Sequence, residues 1–140
     1  MRGQRGTATV EFALMLPVIL LLLAGVLDYT MLMRTAISVA DAARAGAQFG
    51  SLSVTNAANT TGAQNTALTA APDVVGLTVT AVKVCQCSDG TTVNCGSSCT
   101  SGSVRIYSKV TASTAATPIF SYSLVPFSGT ISTTISMRAQ

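Results

Sequence analysis

The chain has 140 residues, enough for one domain of ordinary size together with a membrane anchor but not for two full domains. Only 9% of the residues are charged, the net charge is +3, and no basic patch is interleaved with aromatic residues, so nucleic-acid binding has no support. Histidine, the commonest general base and metal ligand, is absent from the sequence. We therefore expect no enzymatic activity, no cofactor, no metal and no small-molecule substrate.

The first predicted element is a helix over residues 7–50, whose N-terminal part is strongly apolar. From Phe12 to Leu27 the sequence has no charged residue, and nearly every position is aliphatic. Extended to Met33, this segment measures about 33 Å as an α-helix, which is enough to cross a hydrocarbon core of about 30 Å. We predict a transmembrane segment over residues 12–33.

The charges that flank this segment predict its orientation. Arg2 and Arg5 lie just before the apolar run, and basic residues at the end of a span favour the cytoplasmic side. The chain is then attached to the cytoplasmic membrane by a single span, with its C-terminus outside. Asp28 is expected near the outer interface, where a short acidic side chain can reach headgroups or water.

Glu11 lies at the inner end of the apolar segment, where a carboxylate is costly to insert. One interpretation is that Glu11 only marks the interfacial end of the span. The other is that the chain is cut between Gly6 and Thr7. The new amine of Thr7 would then carry a positive charge at neutral pH and could pair with Glu11 of its own or a neighbouring chain.

These features carry a resemblance to a known family. Arg5-Gly6, the Glu five residues after that Gly, and FALMLPVILLLLAGVLDY with Pro17 inside it resemble the class III leader of type IV pilin-like proteins. The stretch DAARAGAQFG at residues 41–50 is similar to the small-residue-rich end of the first helix in TadE-like minor pilins, or pseudopilins, of the tight-adherence (Tad/Flp) pilus system. The resemblance covers about the first third of the chain.

The resemblance implies a role and a set of partners. Residues 1–6 would be the leader, and a prepilin peptidase would remove it. Other pilin or pseudopilin subunits and the pilus assembly platform would be the later partners, in surface adherence and biofilm formation. Pro17 removes one backbone hydrogen bond, which is either a harmless kink or, as the resemblance favours, a point where the helix bends during packing into a filament.

Small residues dominate the second part of the predicted helix. Ala42, Gly46 and Gly50 are spaced four apart, which places them on one face and allows another helix to approach closely, although an alanine-rich helix contains such spacings by chance. Gly50 is predicted to end the helix. Residues 51–76 are predicted to form a polar linker, within which a short helix over residues 62–71 is expected.

Residues 77–140 are predicted to form a small extracytoplasmic β domain. Three stretches have the character of half-buried antiparallel strands, at Leu77–Cys85, Val104–Ala112 and Thr130–Met137. A sheet of three or four strands needs a cover, and the upper part of the long helix is the expected one. The predicted fold class is therefore α+β, pilin-like. An apolar cluster is expected to fill the space between sheet and helix: Ile119, Phe120, Tyr122, Leu124, Val125 and Phe127.

Four cysteines lie close together in this domain, and two interpretations compete for them. Four thiolates could bind zinc, but the spacing departs from the usual paired motifs, and an oxidising compartment favours disulfides. The predicted pairing is nested, Cys85 with Cys99 and Cys87 with Cys95, while crossed pairing stays open. We expect the cysteine loop to be exposed at the tip of the domain, where it could contact a partner.

Two functions of different classes remain open from the sequence, and a main filament subunit is a third possibility, although the tail is bulky for the very small pilins of that system. The first is a TadE-like minor pilin or pseudopilin that is trimmed and then packed beside other subunits. The second is an uncleaved single-span membrane protein whose extracytoplasmic tail binds a ligand or an envelope partner. The N-terminal residue of the mature protein discriminates between them, because only the first is cut after Gly6.

Overall fold

The computed structural model describes residues 7–100, 102–120 and 129–140, and it confirms the predicted α+β class. A long helix is followed by two short helices and a four-stranded antiparallel sheet. The elements in chain order are α1 (Thr7–Ser51), α2 (Val54–Ala58), α3 (Thr60–Ala70), β1 (Thr78–Cys87), β2 (Thr92–Val93), β3 (Val104–Ala116) and β4 (Gly129–Arg138).

Helix α1 runs through 45 residues without a break and passes through Pro17 as α-helix. It ends at Ser51, one residue beyond the predicted stop at Gly50. The Ser51 hydroxyl donates a hydrogen bond to the carbonyl oxygen of Gln48, and the backbone amide of Gln140 donates to the carbonyl oxygen of Ser51. The C-terminus of the chain therefore lies beside the C-terminal end of α1.

The segment predicted as a polar linker contains two helices. Each is capped by a side chain, since the Ser53 hydroxyl accepts a hydrogen bond from the Asn56 amide and the Asn59 side chain accepts one from the Gly62 amide. With the second cap at Asn59, α3 begins at Thr60, two residues before the predicted start at residue 62. Alanines on one side of these helices are buried, at Ala57, Ala63 and Ala67, so this segment contributes to the core.

The sheet has the strand order β2-β1-β3-β4, with β4 and the short β2 at its edges. Val110 in β3 is paired with Ala81 in β1 on one side and with Ile135 in β4 on the other. Helix α1 packs across β3 and β4, and α3 packs against β1. The upper part of α1 is thus the cover that the sheet was predicted to need.

Small side chains dominate the core between helices and sheet. Ala42, Ala43 and Ala47 of α1 are fully buried, and they face alanines of α3 and of the sheet. Gly46 lies so close to its neighbours that an added Cβ would be 2.8 Å from the Ala63 carbonyl oxygen. The predicted small-residue face is therefore a packing face, and it receives α3 and β3 of the same chain.

The apolar cluster after β3 does not fill the core where the structure describes it. Ile119 is 57% exposed and Phe120 is 42% exposed, so the prediction that they fill the space between sheet and helix is wrong. Small side chains already close that space. The other members of the cluster, Tyr122, Leu124, Val125 and Phe127, lie outside the described residues.

Candidate functional site: the first helix and its contacts

The first half of α1 projects from the domain, and its large side chains are uncovered. Between Val10 and Leu27 the exposed fraction of the large apolar side chains runs from 41% at Leu16 to 72% at Leu14. The most apolar window has a mean hydropathy of 2.6, and none of it is buried inside the chain. Residues 9–27 measure about 28 Å along the axis. Among the described residues, this is one helix long and apolar enough to cross a membrane.

The predicted processing and assembly residues lie at the start of this exposed half. Gly6 falls outside the described residues, and Thr7 is already helical. Glu11 is exposed and has no ion-pair partner within residues 7–100, 102–120 and 129–140. The proline ring of Pro17 leaves the carbonyl oxygen of Ala13 without its usual helical donor. Both groups are available for contacts outside the chain.

Asp28 marks the point where the domain begins to cover α1. Its side chain is only 6% exposed, so the expectation that it reaches headgroups or water is wrong. Its Oδ1 accepts hydrogen bonds from the backbone amides of Ile119 at 2.8 Å and Phe120 at 3.3 Å. Its Oδ2 is buried and has no hydrogen-bond partner among the described residues. Ile119 and Phe120 are more than 90 residues away from Asp28 in sequence, so the local pattern could not identify them as its partners. The one signal in the sequence was an acidic residue in an apolar run.

A groove of about 350 Å³, with both polar and apolar lining residues, opens beside this part of α1. It lies between α1, the chain after α3 and the end of β3, and its walls carry one cation, Arg34, and one anion, Asp73. Two of its hydroxyls are already used as donors, Thr35 to the Met31 carbonyl oxygen and Thr114 to the Val75 carbonyl oxygen. The groove has no pairing of a nucleophile with a base among its described lining residues.

All four cysteines form disulfides, but the predicted nested pairing is wrong. The bridges join Cys85 with Cys95 and Cys87 with Cys99, with Cα–Cα distances of 5.2 and 5.8 Å. Cys85 and Cys87 are 2% and 5% exposed at the end of β1. The bridges therefore fix the loop between β1 and β3 to the sheet by crossed connections.

The position of the β1–β2 turn explains the crossed pairing. Nested pairing requires the hairpin to turn near residue 91, whereas the observed register places Cys85 opposite Val93 and turns the chain about Asp89-Gly90. Gly90 has a φ of +89°, which suits a glycine in this tight turn. Because the chain turns this early, Cys95 lies beside Cys85 rather than beside Cys87. Cys87 is then bonded to Cys99.

Asp89 stabilises this turn by accepting hydrogen bonds from Thr91. Its Oδ1 accepts from the Thr91 hydroxyl at 2.7 Å and from the Thr91 amide at 2.9 Å. These bonds, the hydroxyl first, lower the pKa of Asp89 below its ordinary value because they favour the charged carboxylate. The turn lies at the end of the sheet opposite to the end that contacts Asp28, so the cysteine loop is the distal tip of the domain.

Comparison with known proteins gives a match to the first helix. No curated protein and no solved structure matches the chain. A family model described as TadE-like protein matches residues 6–48, which include Glu11, Pro17, Ala42 and Gly46 but neither Gly50 nor any of the sheet. The first helix of this chain is therefore similar to TadE-like proteins over residues 6–48, and this match agrees with the resemblance drawn from the sequence.

Proposed function

We propose that this protein is a minor pilin or pseudopilin of a Tad/Flp pilus, a structural subunit rather than an enzyme. The observation that carries the proposal is the division of α1. Its first half is apolar and uncovered, while its second half forms the core of a small domain. The TadE-like match extends into both halves of α1 and ends three residues before the helix does.

The proposed membrane placement follows from charge and hydropathy. Residues 12–33 span the cytoplasmic membrane, with Arg2 and Arg5 on the inside and the domain outside. Disulfides persist outside the cytoplasm, so the two bridges at Cys85 and Cys87 support this orientation.

In this proposal a prepilin peptidase cuts the chain between Gly6 and Thr7. The new amine of Thr7 pairs with Glu11 of the same or a neighbouring subunit. The pairing removes two unpaired charges from the lipid at once, which offsets part of the cost of inserting each. The exposed state of Glu11 supports this role, because its carboxylate is open to a partner.

Assembly then replaces lipid around the exposed half of α1 by the helices of other subunits on the assembly platform. Pro17 allows this half to bend, because the helix already lacks one backbone hydrogen bond there. The distal cysteine loop faces away from the membrane and is the surface available to an adhesion partner. Surface adherence and biofilm formation are the roles that a pilus with such a tip serves.

The test uses a matched pair of variants in the native host, with its own peptidase and assembly platform. Glu11→Gln removes the proposed pairing charge, and Asp41→Asn removes another exposed acid of the same helix. Asp41 has only a surface ion pair, 3.6 Å from Arg44, with both side chains more than half exposed, so its loss costs little. The measurements are the N-terminal residue of the mature protein, the accessibility of the tail from outside, and the yield of fibres.

We expect wild type and Asp41→Asn to begin at Thr7 and to support fibre production. Glu11→Gln should lose fibre production. If trimming, export and fibre yield are all unchanged in Glu11→Gln, the proposed role of Glu11 is wrong. A chain that still begins at Met1 in cells with an active peptidase would instead identify an uncleaved single-span protein whose tail binds a ligand or an envelope partner.

A further inference from the structure

The contact at Asp28 fixes the height of the β3–β4 connection along α1. Ile119 and Phe120 are bound through their amides to the Asp28 carboxylate, so they lie at the level of residue 28 on the helix axis. In the membrane placement proposed above, the span continues to residue 33. Five residues of helix rise about 7.5 Å, so this level lies below the outer boundary of the hydrocarbon core.

The side chains at this level are apolar and uncovered. Ile119 is 57% exposed and Phe120 is 42% exposed. The neighbouring side chains of α1 are equally open, with Leu27 at 55%, Tyr29 at 62% and Met31 at 47%. Exposed apolar side chains of the helix and of Ile119 and Phe120 therefore lie at the same level along α1.

The hydrogen bonds of Asp28 lower the cost of placing the backbone amides of Ile119 and Phe120 in lipid. An amide N–H without a partner is costly in hydrocarbon, and irregular backbone is excluded from it unless its polar groups are satisfied by the protein. Oδ1 of Asp28 accepts a hydrogen bond from each of the two backbone amides, at Ile119 and Phe120. The buried acid of the apolar run is thus the acceptor that holds these two amides.

We propose that Ile119 and Phe120 rest in the outer leaflet of the bilayer, as a second membrane contact beside the α1 span, and that Asp28 is the residue that positions them. This proposal rests on the proposed membrane placement. Lipid acyl chains are the proposed partner of these two side chains, because the same acyl chains surround the exposed side chains of α1 at this level. The second contact fixes the tilt and height of the domain on the membrane before assembly, because a single helix alone leaves both free.

The sequence contains no tryptophan, so a single introduced tryptophan reports on one position. Phe120→Trp is the reporter, with Leu22→Trp as the control in the middle of the span. Val82→Trp is the aqueous control, since Val82 is 50% exposed and pairs with Lys109, seven residues before the end of β3. Each full-length variant is placed at low protein-to-lipid ratio in vesicles of phosphatidylethanolamine and phosphatidylglycerol, with and without bromine on the acyl chains.

We expect brominated lipid to quench Phe120→Trp and Leu22→Trp, and acrylamide to quench only Val82→Trp. Adding Asp28→Ala to Phe120→Trp should reduce the quenching by lipid, since both amides lose their acceptor. Adding Asp28→Asn should preserve more of it, because the amide oxygen still accepts. If Asp28→Asn and Asp28→Ala reduced the quenching by brominated lipid equally, the positioning role of Asp28 would be contradicted.

The control separates failure of this inference from failure of the proposed placement. If Leu22→Trp is not quenched by brominated lipid, the span itself is wrong. If Leu22→Trp is quenched while Phe120→Trp is open to acrylamide, the domain stands clear of the lipid and the inference is overturned. It is equally overturned if Phe120→Trp is shielded from both quenchers, because a neighbouring protein surface then covers it.

Discussion

The two halves of α1 share one continuous backbone but differ in the size of their side chains. Before Asp28 the helix carries leucine, isoleucine, valine, phenylalanine and methionine, and these are exposed. After Asp28 the buried positions are mostly alanine and glycine. Large side chains give the first half contact area for lipid or other helices, while small ones let the second half approach α3 and the sheet closely.

The transition between the two halves is made without breaking the helix. The hydroxyls of Thr30 and Thr35 donate to the carbonyl oxygens of Val26 and Met31 one turn earlier, so these polar side chains are satisfied within α1. Asp28 is the polar group at the transition whose Oδ1 accepts hydrogen bonds from the domain instead. A rigid connection between the apolar half and the domain follows, since no loop intervenes.

The largest expected effect comes from adding volume to the buried half. In Gly46→Leu the first added carbon already approaches the Ala63 carbonyl oxygen at 2.8 Å, the Ala67 Cβ at 3.1 Å and the Val110 Cγ1 at 3.2 Å. We expect the free energy of unfolding of the domain to fall by about 3 kcal/mol from overpacking. Chemical denaturation of the full-length protein in detergent, followed by circular dichroism, measures it.

Gly25→Leu is the matched control in the exposed half. An added Cβ at Gly25 has no neighbour within 4 Å, so the same substitution should leave domain stability unchanged. If both variants lowered the free energy of unfolding equally, the two halves of α1 would not differ in packing as described.

The next effect concerns the domain alone. Cys87→Ser with Cys99→Ser removes one observed bridge, which closes a separation of 12 residues, and should lower the free energy of unfolding by about 2–3 kcal/mol. Cys85→Ser with Cys99→Ser removes one partner of each bridge and should cost more, because both crosslinks are lost. Nested pairing would reverse this order. Retention of both variants in membranes should be unchanged, since the exposed half of α1 is intact.

The smallest effect is expected at the distal turn. Thr91→Val removes the hydroxyl that lowers the pKa of Asp89, so this pKa should rise toward its ordinary value, as followed by an NMR titration of the Asp89 carboxyl. A carboxyl with a lowered folded-state pKa stabilises the fold above its ordinary pKa, and the contribution disappears as pH falls through the lowered one. In Thr91→Val the contribution should therefore be smaller and vanish at a higher pH. An unchanged pKa would show that the hydroxyl bond is not its main cause.

Local pattern was enough for much of the fold because the relevant forces act over a few residues. The apolar run from Phe12 to Leu27 is visible in composition, and the alternation in β3 and β4 follows from the two-residue period of strands. The small face at Ala42, Gly46 and Gly50 was also visible, but its partner was not. Only packing showed that it receives α3 and β3 of the same chain.

By itself, then, the sequence determined the long helix, the division between its large and small side chains, the strands and the similarity of its first third to TadE-like proteins. The tertiary structure decided the partner of Asp28, the exposure of Ile119 and Phe120, and the crossed disulfides. The physical reason is sequence distance. A contact across 91 residues, or a pairing set by where a hairpin turns, depends on how whole elements dock rather than on the residues beside it.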